Sequence, residues 1–160
     1  GRFDVDEAKT LQIPSVPIDG KLKRGETVTL EDGRVINGSE LCGPTEIGRK
    51  FVYCTDTVYC DGAVKLAQDA DVLIHEATFA HQDADMAFQR LHSTSTMAAQ
   101  TAYTAGVNQL IMTHFSPRYT PGNAIELKDL LKEARAIFPN TIMAHDFMIY
   151  DIPRRREVMN

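Results

Sequence analysis

The sequence predicts an α/β fold, and three observations carry that prediction. From Arg49 onward, short apolar runs alternate with helix-length segments. The helix-length segments carry start and stop signals of their own. Each of the four clearest apolar runs is followed directly by residues that are expensive to bury, and it is at the carboxyl ends of strands that α/β proteins place their ligands.

The first 48 residues are the least regular. Ile13-Pro14, Val16-Pro17 and Gly20 break the chain, and Thr27-Val28-Thr29-Leu30 then alternates. Asp32-Gly33 before Val35-Ile36 predicts a two-residue hairpin, because such a turn needs positive φ and glycine tolerates it. Phe51-Val52-Tyr53-Cys54 reads as a buried strand, Ala63 to Ala70 as a helix, and Val72-Leu73-Ile74 as the next strand. Ser93 or Thr94 can accept free amide protons at a helix start, and that helix runs through Met97, Ala98 and Ala102 to a stop at Gly106. Leu110-Ile111-Met112 is a strand. Asn123 opens a helix whose apolar positions Ile125, Leu127, Leu130, Leu131, Ala134 and Ile137 follow the 3.6-residue period and end before Pro139. Thr141 to Ala144 is the last strand. There is no internal repeat and no low-complexity stretch.

Composition narrows the function. The chain has 160 residues with 17 Lys and Arg against 22 Asp and Glu, a net charge of −5. A pI near 5.5 excludes a protein that holds nucleic acid by bulk positive charge, so any such contact is local. The 43% hydrophobic content excludes a disordered chain. No apolar run reaches the ~18 residues of a membrane helix. The expectation is a soluble protein without membrane contact. Gly1-Arg2-Phe3-Asp4 has no apolar stretch behind basic residues, so no signal peptide is read and the cytoplasm is the expected location. Cys42, Cys54 and Cys60 are odd in number and lack Cys-x-x-Cys spacing, which points to reduced structural thiols.

The residues at the strand ends are Thr55-Asp56-Thr57, His75-Glu76, Thr113-His114 and His145-Asp146. Ligands of α/β proteins sit outside the carboxyl ends of strands. Four strands delivering His or Asp to one edge would build one cluster, and imidazoles combined with carboxylates bind divalent metal, zinc above all. Taken singly, each is also an ordinary turn residue or core histidine. His92-Ser93-Thr94-Ser95 sets a histidine before a helix start whose amides favour an anion, or else is a simple cap. Ser116 and Arg118, after His114, are groups that would hold a phosphate, or belong to a polar loop. Arg154-Arg155-Arg156 reads as a solvated tail. His81, Asp83 and Asp85 sit on an exposed helical stretch and take no role.

Four stretches in this order carry a specific resemblance: Tyr53-Cys54-Thr55-Asp56-Thr57, Ile74-His75-Glu76-Ala77-Thr78-Phe79, His92-Ser93-Thr94, and Thr113-His114-Phe115-Ser116-Pro117-Arg118-Tyr119. Together they resemble the C-terminal half of the ribonuclease Z (tRNase Z) family. Gly20-Lys21-Leu22-Lys23 and Gly43-Pro44 before Gly48-Arg49-Lys50 extend the likeness over nearly the whole chain. The family consists of endonucleases that trim the 3′ ends of precursor tRNAs, within the metallo-β-lactamase superfamily. The resemblance implies an α/β fold that is the C-terminal half of a four-layer αββα sandwich with two Zn2+ ions per complete active site.

By that resemblance Asp56 bridges the metals and His114 is a ligand of one. His92 protonates the leaving 3′ oxygen, Glu76 orients it, and a zinc-bound hydroxide is the nucleophile. Arg118 contacts tRNA phosphate, and Ser93, Thr94 and Ser116 are expected, from the helix-start and hydroxyl chemistry given above, to bind substrate with it. The family's His-x-His-x-Asp-His motif, its next lone His ligand and its Pro-x-Lys-x-Arg-Asn loop are absent from these residues, and Val16-Pro17 stands where the family has Gly-Pro. The family's flexible arm ends just before the segment matching Arg2-Phe3-Asp4-Val5. The expectation is therefore that residues 1–160 are the C-terminal half of a metallo-β-lactamase domain. That half would act on precursor tRNA with a missing N-terminal half, as a homodimer. The chain alone would be inactive and would expose the strand face around Phe51, Val72, Ile74, Ile111 and Ile142. The alternatives are a related hydrolase of small phosphodiesters, or an incomplete half-domain that only binds or dimerises.

Overall fold

In the computed structural model the described residues are 2–13, 19–43 and 48–153. Pro14, Val16-Pro17, Pro44 and the Arg154-Arg155-Arg156 run lie outside them. The chain forms two compact units, Gly1–Gly48 and Arg49–Asn160.

In the first unit, α1 (Val5–Thr10) starts where Asp4 Oδ1 accepts from the amides of Asp6 and Glu7 at 3.0 and 2.9 Å. That carboxylate satisfies two of the orphan donors at the helix start. A second short helix, α2 (Asp19–Leu22), precedes the hairpin of β1 (Thr27–Thr29) and β2 (Val35–Asn37), in which Thr29 pairs with Val35. The loop is one residue longer than the predicted two. Leu30 N donates to Arg34 O (2.8 Å) and Gly33 N to Leu30 O (3.0 Å), so Glu31, Asp32 and Gly33 close it. Only Gly33, at φ +85°, is left-handed, while Asp32 accepts from Arg34 N (3.0 Å) and Arg34 Nε (2.7 Å). The aspartate serves as a side-chain clamp instead of a turn residue with positive φ. After the hairpin, a Cβ at Gly38 would stand 2.5 Å from Leu22 O and 2.7 Å from Glu26 O, so no larger residue fits.

The second unit alternates strand and helix: β3 (Phe51–Cys54), α3 (Asp61–Ala67), β4 (Val72–Glu76), α4 (Ala84–Gln89), α5 (Ser95–Ala105), β5 (Gln109–Thr113), α6 (Leu127–Ile137) and β6 (Thr141–Met143). Short 3₁₀ turns lie at His81–Asp83 and Pro117–Tyr119. The four strands pair in parallel in the order β3-β4-β5-β6. The fold is α/β, as predicted.

Several boundaries move for local reasons. α3 stops at Ala67 because Gln68 leaves helical space (ψ 124°) and Asp69 is left-handed. α5 follows its signals: Thr94 Oγ1 accepts from Met97 N at 3.2 Å, and Gly106 ends the helix at φ +64°. α6 starts at Leu127, not Asn123, because Asn123 Nδ2 is held by Thr120 O (3.0 Å) and the reciprocal cap of Glu126 and Asp129 fixes the first turn.

Val52, Cys54, Leu73, Leu110 and Met112 face the helices and pack with Ala63, Ala67, Ala98, Ala99, Ala102, Ala105 and Ala134. Alanines let the helices lie close to the sheet, and Leu73 and Leu110, fully buried, each contribute about 1.5–3 kcal/mol. On the opposite face Phe51 and Tyr53 are 53% and 55% exposed. Ile74 and Ile142 are half-buried there, but Val72 and Ile111 are covered, contrary to the expected exposure. The latter two lie on the central strands β4 and β5, as does the half-buried Ile74. Among the described residues no helix is long and apolar enough to cross a membrane.

β4 runs two residues further than predicted, through His75 and Glu76, and this corrects the reading of His75 as a strand-end group. His75 pairs laterally with Cys54 and Met112 and so shares their helix-facing side of the sheet. It is fully buried; its Nδ1 donates to Glu76 O at 2.7 Å and its Nε2 has no partner among the described residues. Burial holds the imidazole below its ordinary value of 6.5. The unfolded chain therefore binds a proton below that pH that the folded chain refuses. The stabilisation is complete above the unfolded value and is lost as pH falls toward the lowered folded one. Thermal unfolding from neutral pH down to about 5 should show a falling midpoint whose slope is shallower in His75→Leu. An unchanged slope in that variant would remove His75 as the acid-sensitive group.

Candidate metal centre

Asp56 lies two residues past β3 and His114 one residue past β5, on either side of β4. Their side chains converge, with His114 Nε2 3.4 Å from Asp56 Oδ1. His92, reached through the loop before α5, joins them: its Nδ1 is 3.9 Å from Asp56 Oδ1, and its ring stacks on that of His114 at 5.2 Å. One ligand atom from each of Asp56, His92 and His114 lies within 4.8 Å of the others. The backbone is held in a sparsely populated region at these points. Asp56 (φ +47°) and His114 (φ +59°) are left-handed, as is Leu91 (φ +59°) just before His92. Non-glycine residues adopt this conformation where surrounding structure over-determines it, and such positions cluster at functional sites. His145 stays apart: it is exposed and its Nδ1 donates to Asp146 O at 3.0 Å.

Glu76 is fully buried and knits the loops together. Its Oε1 accepts from His92 Nδ1 (3.0 Å), Ser93 N (2.8 Å) and Thr57 N (3.1 Å). Its Oε2 accepts from Thr78 N (3.0 Å) and Thr78 Oγ1 (2.7 Å). A buried carboxylate is tolerable only when its lone pairs are met, and here five donors meet them.

The hydroxyls of the His92-Ser93-Thr94 stretch turn inward. Ser93 and Thr94 are fully buried; Ser93 Oγ donates to Thr57 O (2.5 Å), and Thr94 Oγ1 caps α5. Ser116 and Arg118 instead line a cavity of about 420 Å3 together with Thr78, Phe79, Met86, Arg90 and His92. The Arg118 guanidinium lies over the Phe79 ring at 5.3 Å, and its Nη1 is 4.0 Å from Asp83 Oδ2. Tyr119 anchors this loop, donating to Asp83 Oδ2 (2.5 Å) and accepting from Ala80 N (2.8 Å). Burial and that donation to Asp83 push its phenol up to about 12.

Two imidazoles and a carboxylate at one point suit a divalent ion of the zinc type, which takes nitrogen and oxygen donors. His114 also has the support that metal-binding histidines carry, because its Nδ1 lies 2.8 Å from Thr78 Oγ1 while Nε2 faces Asp56.

A family model described as Beta-lactamase superfamily domain matches residues 9–115. The chain belongs to this superfamily. Within the beta-lactamase superfamily it is 80% identical over 157 residues to Ribonuclease Z of Nostoc sp., covering 98% of this chain and 49% of that relative. It is 78% identical over 158 residues to Ribonuclease Z of Nostoc punctiforme, covering 99% and 50%. The chain thus spans about half the length of the curated relatives it matches. Among solved structures, the short form of human tRNase Z matches at 34% identity and TM-score 0.50, over 74% of this chain and 37% of that one. The metallo-beta-lactamase fold protein YhfI of Bacillus subtilis matches at 27% identity and TM-score 0.50, over 57% and 35%.

Of the residues singled out in the sequence, Asp56, Glu76, His92 and His114 come together, Ser116 and Arg118 line the cavity that His92 also lines, and His75 and His145 do not join. Thr78 and Tyr119 were missed as members of the site, although both stand inside the motifs quoted above. Only a hydroxyl four residues past the predicted strand Val72-Leu73-Ile74 hinted at Thr78. Replacing Glu76 by Ala strands three backbone amides and a hydroxyl at once. Thermal or denaturant unfolding should show a loss of about 3–5 kcal/mol. A loss within the scatter of surface substitutions would mean that the loops close without this carboxylate.

Proposed function

We propose that this superfamily member supplies part of the active site of a zinc-dependent endonuclease that removes the 3′ trailer from precursor tRNA. The observation that carries the reading is the Glu76–His92 pair, 3.0 Å apart, beside the converging Asp56 and His114. The 34% identity to human tRNase Z and the Ribonuclease Z relatives support the substrate class. Asp56 and His114 would hold the metal, and when bound, zinc supplies Lewis-acid charge and lowers the pKa of a water to near ~7. His92 uses Nδ1 to reach Glu76, which leaves Nε2 to carry a proton to the leaving 3′ oxygen. Arg118 and Ser116, on the cavity wall, take the phosphate, and Ser93 and Thr94 act by holding the His92 loop from inside. The remaining ligands come from an N-terminal half, the sites being two Zn2+ ions in the complete enzyme. A homodimer in the cytoplasm, where the thiols Cys42, Cys54 and Cys60 stay free, completes the reading.

A second reading makes His92 a third metal ligand, which the 4.8 Å grouping with Asp56 and His114 favours. The two separate in one experiment. The chain is combined with the separately made N-terminal half of the family enzyme, and zinc content and cleavage of precursor tRNA are measured against a chromogenic phosphodiester. The combination should take up zinc and prefer tRNA, while the 160-residue chain alone should do neither. His92→Ala should lower cleavage by about 10²–10⁴ and keep its zinc. Loss of zinc in that variant would make His92 a ligand. Cleavage of the small phosphodiester alone would overturn the tRNA assignment.

A further inference from the structure

Thr78, a residue that the proposed mechanism does not use, stands between Glu76 and His114 in a chain of hydrogen bonds. Thr78 Oγ1 has one proton, and at 2.7 Å from Glu76 Oε2 it faces a carboxylate oxygen, which as a carboxylate can only accept. The proton of Thr78 is therefore spent on Glu76. His114 Nδ1, 2.8 Å from the same Oγ1, must then be the donor of its contact. A neutral imidazole carrying its hydrogen on Nδ1 has its lone pair on Nε2, the atom that stands 3.4 Å from Asp56 Oδ1. The longer 3.3 Å approach of Thr78 Oγ1 to His92 Nδ1 adds nothing to this count, because that N–H is given to Glu76 Oε1 at 3.0 Å.

We propose that Thr78 is a positioning residue that hands the orienting power of Glu76 on to His114, so that one buried carboxylate sets the tautomer of both histidines. Glu76 reaches His92 directly through Oε1 and reaches His114 through the Thr78 hydroxyl on Oε2. The distances leave no direct Glu76–His114 bond among those of the described residues, so the hydroxyl is the spacer that lets a single side chain serve two rings on different loops. Burial strengthens the chain of bonds, since Glu76 is fully covered and Thr78 nearly so, at 8% exposure. An ion placed by Asp56 and His114 meets a bare Nε2 already aimed at it and needs no tautomer change on entry. This inference rests on the metal reading of Asp56 and His114 for its consequence, but not for its geometry.

The test uses the full-length enzyme that carries this chain, with Thr78→Val, which keeps the shape and removes the hydroxyl, and Thr78→Ser, which keeps the hydroxyl. Zinc affinity is measured by competition with a chelator, and the ring tautomers of His92 and His114 are read from imidazole 15N shifts in the metal-free protein. Thr78→Val should bind zinc about 10–100-fold more weakly. His114 should lose its Nδ1–H form in that variant while His92, held directly by Glu76, retains its own. Thr78→Ser should restore both properties. A merely structural loss would disturb the two histidines together, and that result would overturn the proposal, as would an unchanged His114 tautomer in Thr78→Val. Should Thr78→Val fail to fold, Thr78→Ala is compared with Thr78→Ser by the same two readouts, and equal behaviour of those two also overturns it. An unmodified enzyme that binds no zinc would instead sink the metal reading of the site, while the metal-free tautomer measurement still decides the role of Thr78.

Discussion

The site depends on one buried carboxylate. Glu76 lies at the end of a central strand, with no exposed surface, and its two oxygens collect donors from the loops after β3, after β4 and before α5. Backbone pairing past Glu76 is sparse, chiefly the bridge of Phe79 with Thr94, so these side-chain bonds add the ties between the loops that the ladder does not make. An ionised group in such a place is costly unless every lone pair is engaged, and the same bonds that offset the cost fix the loops. Structure and chemistry are therefore inseparable at this residue. The interactions that make the burial tolerable are the ones that orient His92.

Much of the fold was legible because its strands are continuous apolar runs and its helices carry terminal signals. Thr94 and Gly106 bracket α5 by ordinary capping chemistry, and Phe51–Cys54 stands out as a run between polar segments. The start of α6 was not legible, because the apolar period extends backward through Ile125 while side-chain bonds at Asn123 and the Glu126–Asp129 cap decide where the helix begins. The hairpin loop failed for a related reason. Asp-Gly signals a turn, but whether aspartate supplies a left-handed backbone or a side-chain clamp depends on the arginine that follows it.

At the site the division falls within a single dipeptide. His75 and Glu76 read alike as polar residues after an apolar run, yet extension of β4 by two residues sends their side chains to opposite sides of the pleat. Parity along a strand cannot be counted until its end is known, and the end was set by pairing with β5 rather than by composition. Asp56 and His114 were easier, being the first ionisable groups beyond their strands. The participation of Thr78 needed the chain to fold back, since its partners His92 and His114 are distant in sequence.

The strand order has a consequence for how the site comes into being. Because β3, β4, β5 and β6 lie side by side in chain order, every strand pairs with its nearest neighbours in sequence, which keeps the sequence separation of the sheet contacts low and favours fast closure. Asp56, Glu76, His92 and His114 all precede or immediately follow the third of these strands. The constellation is thus complete once β5 is in place, and β6 closes the edge without adding to it: His145, just beyond, remains at the surface. Within this unit the residues of the cluster are all supplied by the chain up to the loop that follows β5, and β6 adds a paired edge strand and none of them.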